Sequence, residues 1–517
     1  MLPEFRNEPF TDFDDPENAR RMEEALDRVR GELGRTYPMV IGAKEEKLAD
    51  TFDSVNPAEP LQVIGRFPNG GAEHADRAIE AAEGAFESWR RVPAAERARY
   101  LVDAAAAMRE RKFDLAALMV FEVSKSWAEA DGDVAEAIDF AEYYARQMLR
   151  LAEGAETSEW PGEDNRMVYI PLGVTAVIPP WNFPLAIMAG MTLAALVAGN
   201  TVVLKPAEQA PTIAAWFVDI MRELGLPDGV LNFVTGPGEV VGERMVDHPR
   251  TRVVAFTGSK AVGTRIYERA ARVHPGQKWL KRAVLEMGGK DALVVDETAD
   301  LDAAAASIVA SAFGFQGQKC SACSRAILVE DVYDEVAEKV VSRARELRVG
   351  DPSNAGSFMG AVIDDEAFEK IKGYIAIGKE EGRLLLGGDA TEPSDGYFVE
   401  PTVIGEVAPD ARLAQEEVFG PVLALIKAAD YEDALRIANS TEFGLTGGVF
   451  SDDRDRLERA REDFHVGNLY LNRKITGALV GVQPFGGFNM SGTDSKAGGP
   501  DYLLLFTQPK TISERVD

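Results

Sequence analysis

From about residue 167 the chain alternates short aliphatic runs with helix-length segments, and few architectures accommodate that pattern. Strand-like runs fall at Val174–Ile178, Thr201–Leu204, Leu231–Val234, Val253–Phe256 and Ala283–Glu286, with helix-like segments near 185–198, 211–224, 238–247 and 261–273 between them. Strands joined through helices make right-handed βαβ units and therefore a parallel sheet. A second series begins near 290, with Ala292–Val295, a helix near 301–313, Ala326–Val329, a helix at 331–347, and later Val422–Ile426 with a helix near 431–439. The two series meet near Glu286, which predicts two α/β domains and a cleft between them. Residues 16–33 and 74–152 carry helical periodicity with charged faces. No solenoid-period repeat, long linker or low-complexity tract interrupts the 517 residues.

The formal charge of −29, from 56 Lys and Arg against 85 Asp and Glu, sets a field that repels phosphates, so nucleic acid and anionic membrane are not expected partners. It suits a halophilic protein kept soluble in a salty cytoplasm, or an ordinary acidic enzyme. The acidic N-terminus lacks the apolar core of a signal peptide. The longest apolar run, Pro184 to Gly199, is shorter than the ~18 residues that suggest a membrane span, and reads as a buried helix. A cytoplasmic location is expected.

Both cysteines of the chain, Cys320 and Cys323, lie in one stretch, Phe313 to Arg325. Cys320 is a candidate nucleophile if its surroundings favour the thiolate, as the neighbouring Lys319 could. A Cys-x-x-Cys pair also admits metal or dithiol chemistry, although the four histidines show no paired ligand spacing, and no metal is expected. Glu286 ends a strand beside Gly288-Gly289, where a carboxylate could act as general base or simply be solvated. Trp181-Asn182-Phe183-Pro184 follows a strand, and the Asn182 amide could donate to an oxyanion or merely shape a turn. Phe256 to Gly263 reads as strand, glycine turn and helix start, a geometry that receives a pyrophosphate, although it lacks the six-residue dinucleotide fingerprint.

In their order along the chain, Pro179–Pro184, Lys205-Pro206-Ala207-Glu208, Phe256–Gly263, Leu285–Lys290, Gly317–Ser321, Glu416–Pro421 and Pro484–Gly487 resemble the aldehyde dehydrogenase superfamily over roughly residues 50–510. The resemblance implies an α/β fold, with a Rossmann-type NAD-binding domain (1–152, 172–286 and 476–496), an α/β catalytic domain (287–475) and a β-strand oligomerisation flap and tail (153–171 and 497–517). It implies that Cys320 attacks an aldehyde to give a thiohemiacetal whose oxyanion is held by Asn182 and the Cys320 backbone N–H. Hydride then passes to NAD, and Glu286 activates water to hydrolyse the thioester. The matching cofactor positions are Lys205 and Glu208 at the adenosine ribose, and Gly258, Ser259 and Val262 along the pyrophosphate and adenine. Glu417 falls at the nicotinamide ribose with Phe419 beside it, and Pro180 and Trp181 border the same crevice. A carboxylate at Glu208 favours NAD over NADP.

Within the superfamily, Phe313–Arg325 and Asn472–Gly487 look like the group that oxidises L-glutamate 5-semialdehyde, the open form of 1-pyrroline-5-carboxylate, to glutamate in proline degradation. In that group small residues expose backbone N–H groups and a hydroxyl to the substrate α-carboxylate, and Ser321, Gly477 and Ala478 occupy those positions. Lys319 adds positive charge, Phe183 and Phe485 flank the aliphatic stem, and Glu136 receives the ammonium group. A small-molecule aldehyde and a second copy of the chain, as a homodimer or higher homo-oligomer, are thus the expected partners. The apolar tail Leu503–Phe506 would be costly to expose, which adds to the case for a partner subunit. Alternatives are a succinate-semialdehyde or betaine-aldehyde type of NAD(P)-dependent enzyme, and a coenzyme A-acylating relative, which usually lacks the general-base glutamate.

Overall fold

The computed structural model describes residues 2–516. The first strand series forms a seven-stranded sheet in the spatial order 282–286, 251–257, 174–178, 201–204, 231–233, 39–41, 44–46. Its five strands from Val174–Ile178 to Arg282–Glu286 run parallel, and Met39–Ile41 and Lys44–Glu46 complete one edge antiparallel. Unbroken aliphatic runs suit these strands because both faces are covered; Val202, Val203 and Leu204 are all wholly buried. Helix Ala186–Val197 is apolar on every side and packs between this sheet and the long helix Trp127–Ala152.

The chain leaves Val174–Ile178 toward one side of the sheet, then returns to build Thr251–Thr257 and Arg282–Glu286 on the other. The order reverses between 174–178 and 251–257, so the loops after these two strands part and open a crevice at the carboxyl edge. A second seven-stranded sheet, in the order 383–386, 402–405, 422–428, 325–329, 292–295, 446–450, 468–471, is parallel except for Arg383–Leu386. Each sheet has its own apolar core.

The helical tract expected at 74–152 is four helices, Ala72–Trp89, Ala94–Glu110, Lys112–Val123 and Trp127–Ala152. Pro93 precedes the second, and Ser124, at φ 57°, ends the third in a left-handed turn. Strands Glu163–Pro171 and Thr507–Arg515 pair antiparallel along their whole length as a two-stranded ribbon, exposed from Pro509 onward. The apolar tail corrects one expectation: Leu503 and Phe506 are fully buried in the core of their own chain, and need no partner to cover them. Among the described residues, no helix is long and apolar enough to cross a membrane.

Candidate active site

Cys320 follows a short 3-10 turn, Gly314–Gly317, in which Phe315 and Gln316 hold φ of 51° and 55°. Such left-handed backbone is costly for bulky residues, and side chains hold it in place. Gln316 Nε2 donates to the carbonyls of Ser124 and Ala361, both at 2.9 Å, and Gln318 Oε1 accepts the Ile363 N–H. Gly317 lies so close to the next loop that a Cβ there would fall 2.3 Å from the Gly420 carbonyl oxygen. Two glutamines thus aim the cysteine, a role that glutamines in a loop do not advertise in sequence.

A cavity of about 410 Å3 opens between the two sheet domains. Cys320 and Glu286 line it, together with all seven residues expected around the substrate: Glu136, Phe183, Lys319, Ser321, Gly477, Ala478 and Phe485. Phe10, Thr11 and Lys474 line it too, and the sequence reading did not assign them. On its other side Cys320 faces a narrow cleft bordered by Gly289, Glu417 and Phe419. The cysteine therefore stands between two spaces, one large and one slot-like.

Asn182 is buried, and its Nδ2 donates to the Gln318 carbonyl at 3.1 Å, which pins the amide beside the Cys320 turn. One N–H of that amide is left for another acceptor. Phe183 meets Phe315 edge-on at 6.2 Å, and the buried Lys125 ammonium sits 3.9 Å from the Phe183 ring centre. Lys125 is itself matched by Asp133 at 2.7 Å, whose other oxygen accepts the Ala186 N–H at the start of the helix behind Asn182. The loop that carries Asn182 and Phe183 is thus anchored from below by a buried ion pair.

Glu286 ends its strand as expected and turns its carboxylate inward. Its oxygens accept from Ser495 Oγ and, at 3.3 Å, from the Gly487 N–H. Burial outweighs these bonds and pushes its carboxyl up to about 8. Burial also raises the Cys320 thiol well above its usual range, and the carboxylates of Asp291, Glu417 and Glu286 add to the shift. The expected help from Lys319 is not available to the thiol: its Nζ is bonded to Glu129 at 2.6 Å, so its charge is already matched. Cys323 is buried, donates to the Arg325 carbonyl, and is pushed up to about 12 by burial. It packs the second core rather than the cavity.

The crevice at the carboxyl edge of the first sheet holds the remaining candidates. Glu208 Oε1 accepts the Gly238 N–H at 2.9 Å and lies 3.4 Å from the buried Lys205 Nζ. Ser259 caps helix Lys260–Ala270 through the Val262 N–H, and the Gly258 N–H is committed to the Glu286 carbonyl at 3.0 Å. Free donors for a phosphate at this turn are therefore the first helical N–H groups, not those of Gly258 or Val262. A Cβ on Gly258 would meet the Phe256 ring at 2.5 Å, and Val262 presents an exposed apolar surface. Nearer Cys320, Glu417 Oε1 accepts the Gly289 N–H at 3.0 Å, and Phe419 packs edge-on against Trp181 at 5.5 Å. Pro180 sits half-buried just before it. An acidic group, a turn, an apolar shelf and a slot ending at the cysteine are compatible in shape with an extended dinucleotide.

A cysteine between a narrow cleft and a carboxylate-flanked cavity, set where two largely parallel α/β sheets meet, is the arrangement of an aldehyde dehydrogenase fold. Residues 43–512 match the Aldehyde dehydrogenase family, and the chain belongs to that family. It is 58% identical over 514 residues to a 1-pyrroline-5-carboxylate dehydrogenase of Geobacillus sp. (strain WCH70), covering 99% of this chain and all of the relative. A solved 1-pyrroline-5-carboxylate dehydrogenase from Thermus with bound NAD superposes with a TM-score of 0.98 at 53% identity, each chain covered in full. A betaine aldehyde dehydrogenase from Staphylococcus aureus is more distant, with a TM-score of 0.89 at 29% identity over 96% of this chain and 98% of the other.

Proposed function

We propose that this chain oxidises L-glutamate 5-semialdehyde, in equilibrium with cyclic 1-pyrroline-5-carboxylate, to L-glutamate with NAD, the aldehyde-oxidising step of proline degradation. The observation that carries the reading is the single cavity that brings Cys320 and Glu286 together with small, polar and aromatic residues suited to an amino acid aldehyde. Likeness to the Geobacillus and Thermus enzymes, at more than half of all positions, supports the choice of substrate.

In this reading the Cys320 thiol passes its proton to water and its sulfur bonds to the aldehyde carbon, while Asn182 Nδ2 and the Cys320 backbone N–H stabilise the oxyanion left as the carbonyl π bond opens. Bound NAD supplies the hydride acceptor. Lys205 and Glu208 would hold its adenosine ribose, the first helical N–H groups after Gly258 and Ser259 would take the pyrophosphate with Val262 beside the adenine, and Pro180 and Trp181 would wall the crevice. Glu417 and Phe419, which border the same narrow cleft as Cys320, would hold its nicotinamide end. Loss of hydride leaves an acyl thioester on Cys320; Glu286 then takes a proton from water as the water adds to the acyl carbon, and the carbon–sulfur bond breaks to release the carboxylate and the Cys320 thiolate. The α-carboxylate lies against Ser321 and the backbone N–H groups of Gly477 and Ala478, with the Lys319–Glu129 pair adjacent. Phe183 and Phe485 flank the methylene stem, and Glu136 faces the ammonium group. Burial keeps the Glu136 carboxyl up at about 8, so the arriving cation draws it toward the ionised form.

The segments 1–152, 172–286 and 476–496 serve as the NAD-binding domain and 287–475 as the catalytic domain. The ribbon of Glu163–Pro171 and Thr507–Arg515 serves as the oligomerisation flap, since an isolated two-stranded ribbon is at best marginally stable. We place the protein in the cytoplasm as a homo-oligomer, with its acidity suited to high salt. The test is product analysis: pyrroline-5-carboxylate and NAD give glutamate and NADH in equal amounts, as free acid even with coenzyme A present. An acyl-coenzyme A product would overturn the hydrolytic reading.

A further inference from the structure

The N-terminal segment supplies Phe10 and Thr11 to the lining of the substrate cavity and is fastened at two points to helix Trp127–Ala152. At one end the Thr11 N–H and Oγ1 both donate to Asp131, which also pairs with Lys112 Nζ at 2.9 Å. At the other end the Glu8 N–H donates to Asp139 Oδ1 at 2.7 Å. Asp131 and Asp139 are 4% exposed or less, eight residues and so about 12 Å apart along the helix. Phe10, between these fastenings, and Thr11 itself form part of the cavity wall, with Phe10 lying over Gly132.

Asn7 links this segment to the loop expected to grip the substrate. Its Nδ2 donates to Asp139 Oδ2 at 2.8 Å and to the Val480 carbonyl at 2.9 Å, so both amide hydrogens are used. Val480 ends the cavity-lining run Thr476–Val480, which includes Gly477 and Ala478. Phe5 closes the same corner, edge-on to Tyr143 at 5.1 Å, and Gly481 lies so near both rings that a Cβ there would come within 3.2 Å of them. A carboxylate bonded to an amide that is bonded to a loop carbonyl is a rigid brace, and buried bonds of this kind fix geometry as well as energy.

We propose that residues 5–11 are a fixed wall of the substrate site, and that Asn7 is a positioning residue that sets the carboxylate-gripping loop 477–480. The proposal rests on the assignment of Gly477 and Ala478 to the substrate carboxylate. Asn7 touches neither the reacting atoms nor the cofactor crevice, so it acts on substrates that carry the carboxylate and not on the chemistry at Cys320.

Steady-state kinetics of the full chain test this with pyrroline-5-carboxylate and propanal side by side. Wild type prefers pyrroline-5-carboxylate if the functional reading holds; no preference sinks that reading by itself. Asn7→Leu keeps the side-chain size and removes both donors, and raises KM for pyrroline-5-carboxylate roughly ten-fold, the scale of losing two buried hydrogen bonds. Its kcat for propanal and its KM for NAD stay within about two-fold of wild type. A wild-type preference with KM unmoved in Asn7→Leu, or an equal loss on both aldehydes, overturns the proposal. If Asn7→Leu does not fold, Asn7→Ser, which keeps one donor, gives a smaller rise confined to pyrroline-5-carboxylate, and any other pattern counts against it.

Discussion

At Glu286 two demands compete. A general base must be ionised to take a proton, yet its burial holds the carboxyl up at about 8, against the bonds from Ser495 and the Gly487 N–H. Because the working form is the deprotonated one and the folded value lies above the ordinary carboxylate range, thioester hydrolysis rises as pH climbs through about 8. Single-turnover hydrolysis of the acyl-enzyme should follow that rise, and a rate that falls between about pH 7 and 9 contradicts it. Glu286→Gln should lose the rise and slow hydrolysis by roughly 10²–10⁴-fold, leaving acyl-enzyme visible by mass spectrometry of the intact chain. The two cysteines divide as sharply. Cys320→Ala should abolish NADH formation and keep NAD binding by calorimetry, whereas Cys323→Ala, altering a buried packing residue, should keep most of the activity.

The loop after Phe485 presses on the site at close range. A Cβ on Gly486 would fall 1.6 Å from the Ser495 carbonyl oxygen and 2.9 Å from a Glu286 oxygen, both fixed by their surroundings. Gly486→Ala should therefore lower stability by about 1–3 kcal/mol, read as a drop in melting temperature, with hydrolysis slowed as Ser495 and Glu286 are pushed apart. An unchanged melting curve would show that the loop yields. Such glycines also mark where the sequence stops being readable. The strands at 174–178, 201–204 and 292–295 announce themselves as aliphatic runs, since burial on both faces demands nothing else. Strand Thr446–Phe450 does not, because Gly447 and Gly448 stand where the Phe464 ring and the Ile475 side chain leave no room for a Cβ. Likewise, Cys320, Glu286 and Asn182 were legible through motifs on strand ends and turns. The supports Gln316, Gln318 and Ser495, and the wall from Phe10 and Thr11, depend on contacts between residues far apart in sequence. Periodicity carries no record of those.

Across the whole molecule the formal charge of −29 sets a self-repulsion that salt screens, over a Debye length of about 10 Å at 0.1 M. The melting temperature should therefore climb from low to high salt, and a flat dependence would remove the case for a salt-adapted surface. The exposed ribbon calls for a neighbour, so light scattering should give at least a dimer, and removal of residues 508–517 should reduce it to monomer. Elements of both sheets meet around Cys320 and line one cavity. The most direct test is NADH formation by the full chain from pyrroline-5-carboxylate set against propanal, succinic semialdehyde and betaine aldehyde. Pyrroline-5-carboxylate should give the highest kcat/KM, and equal or better turnover of any of the other three would contradict its place as the substrate.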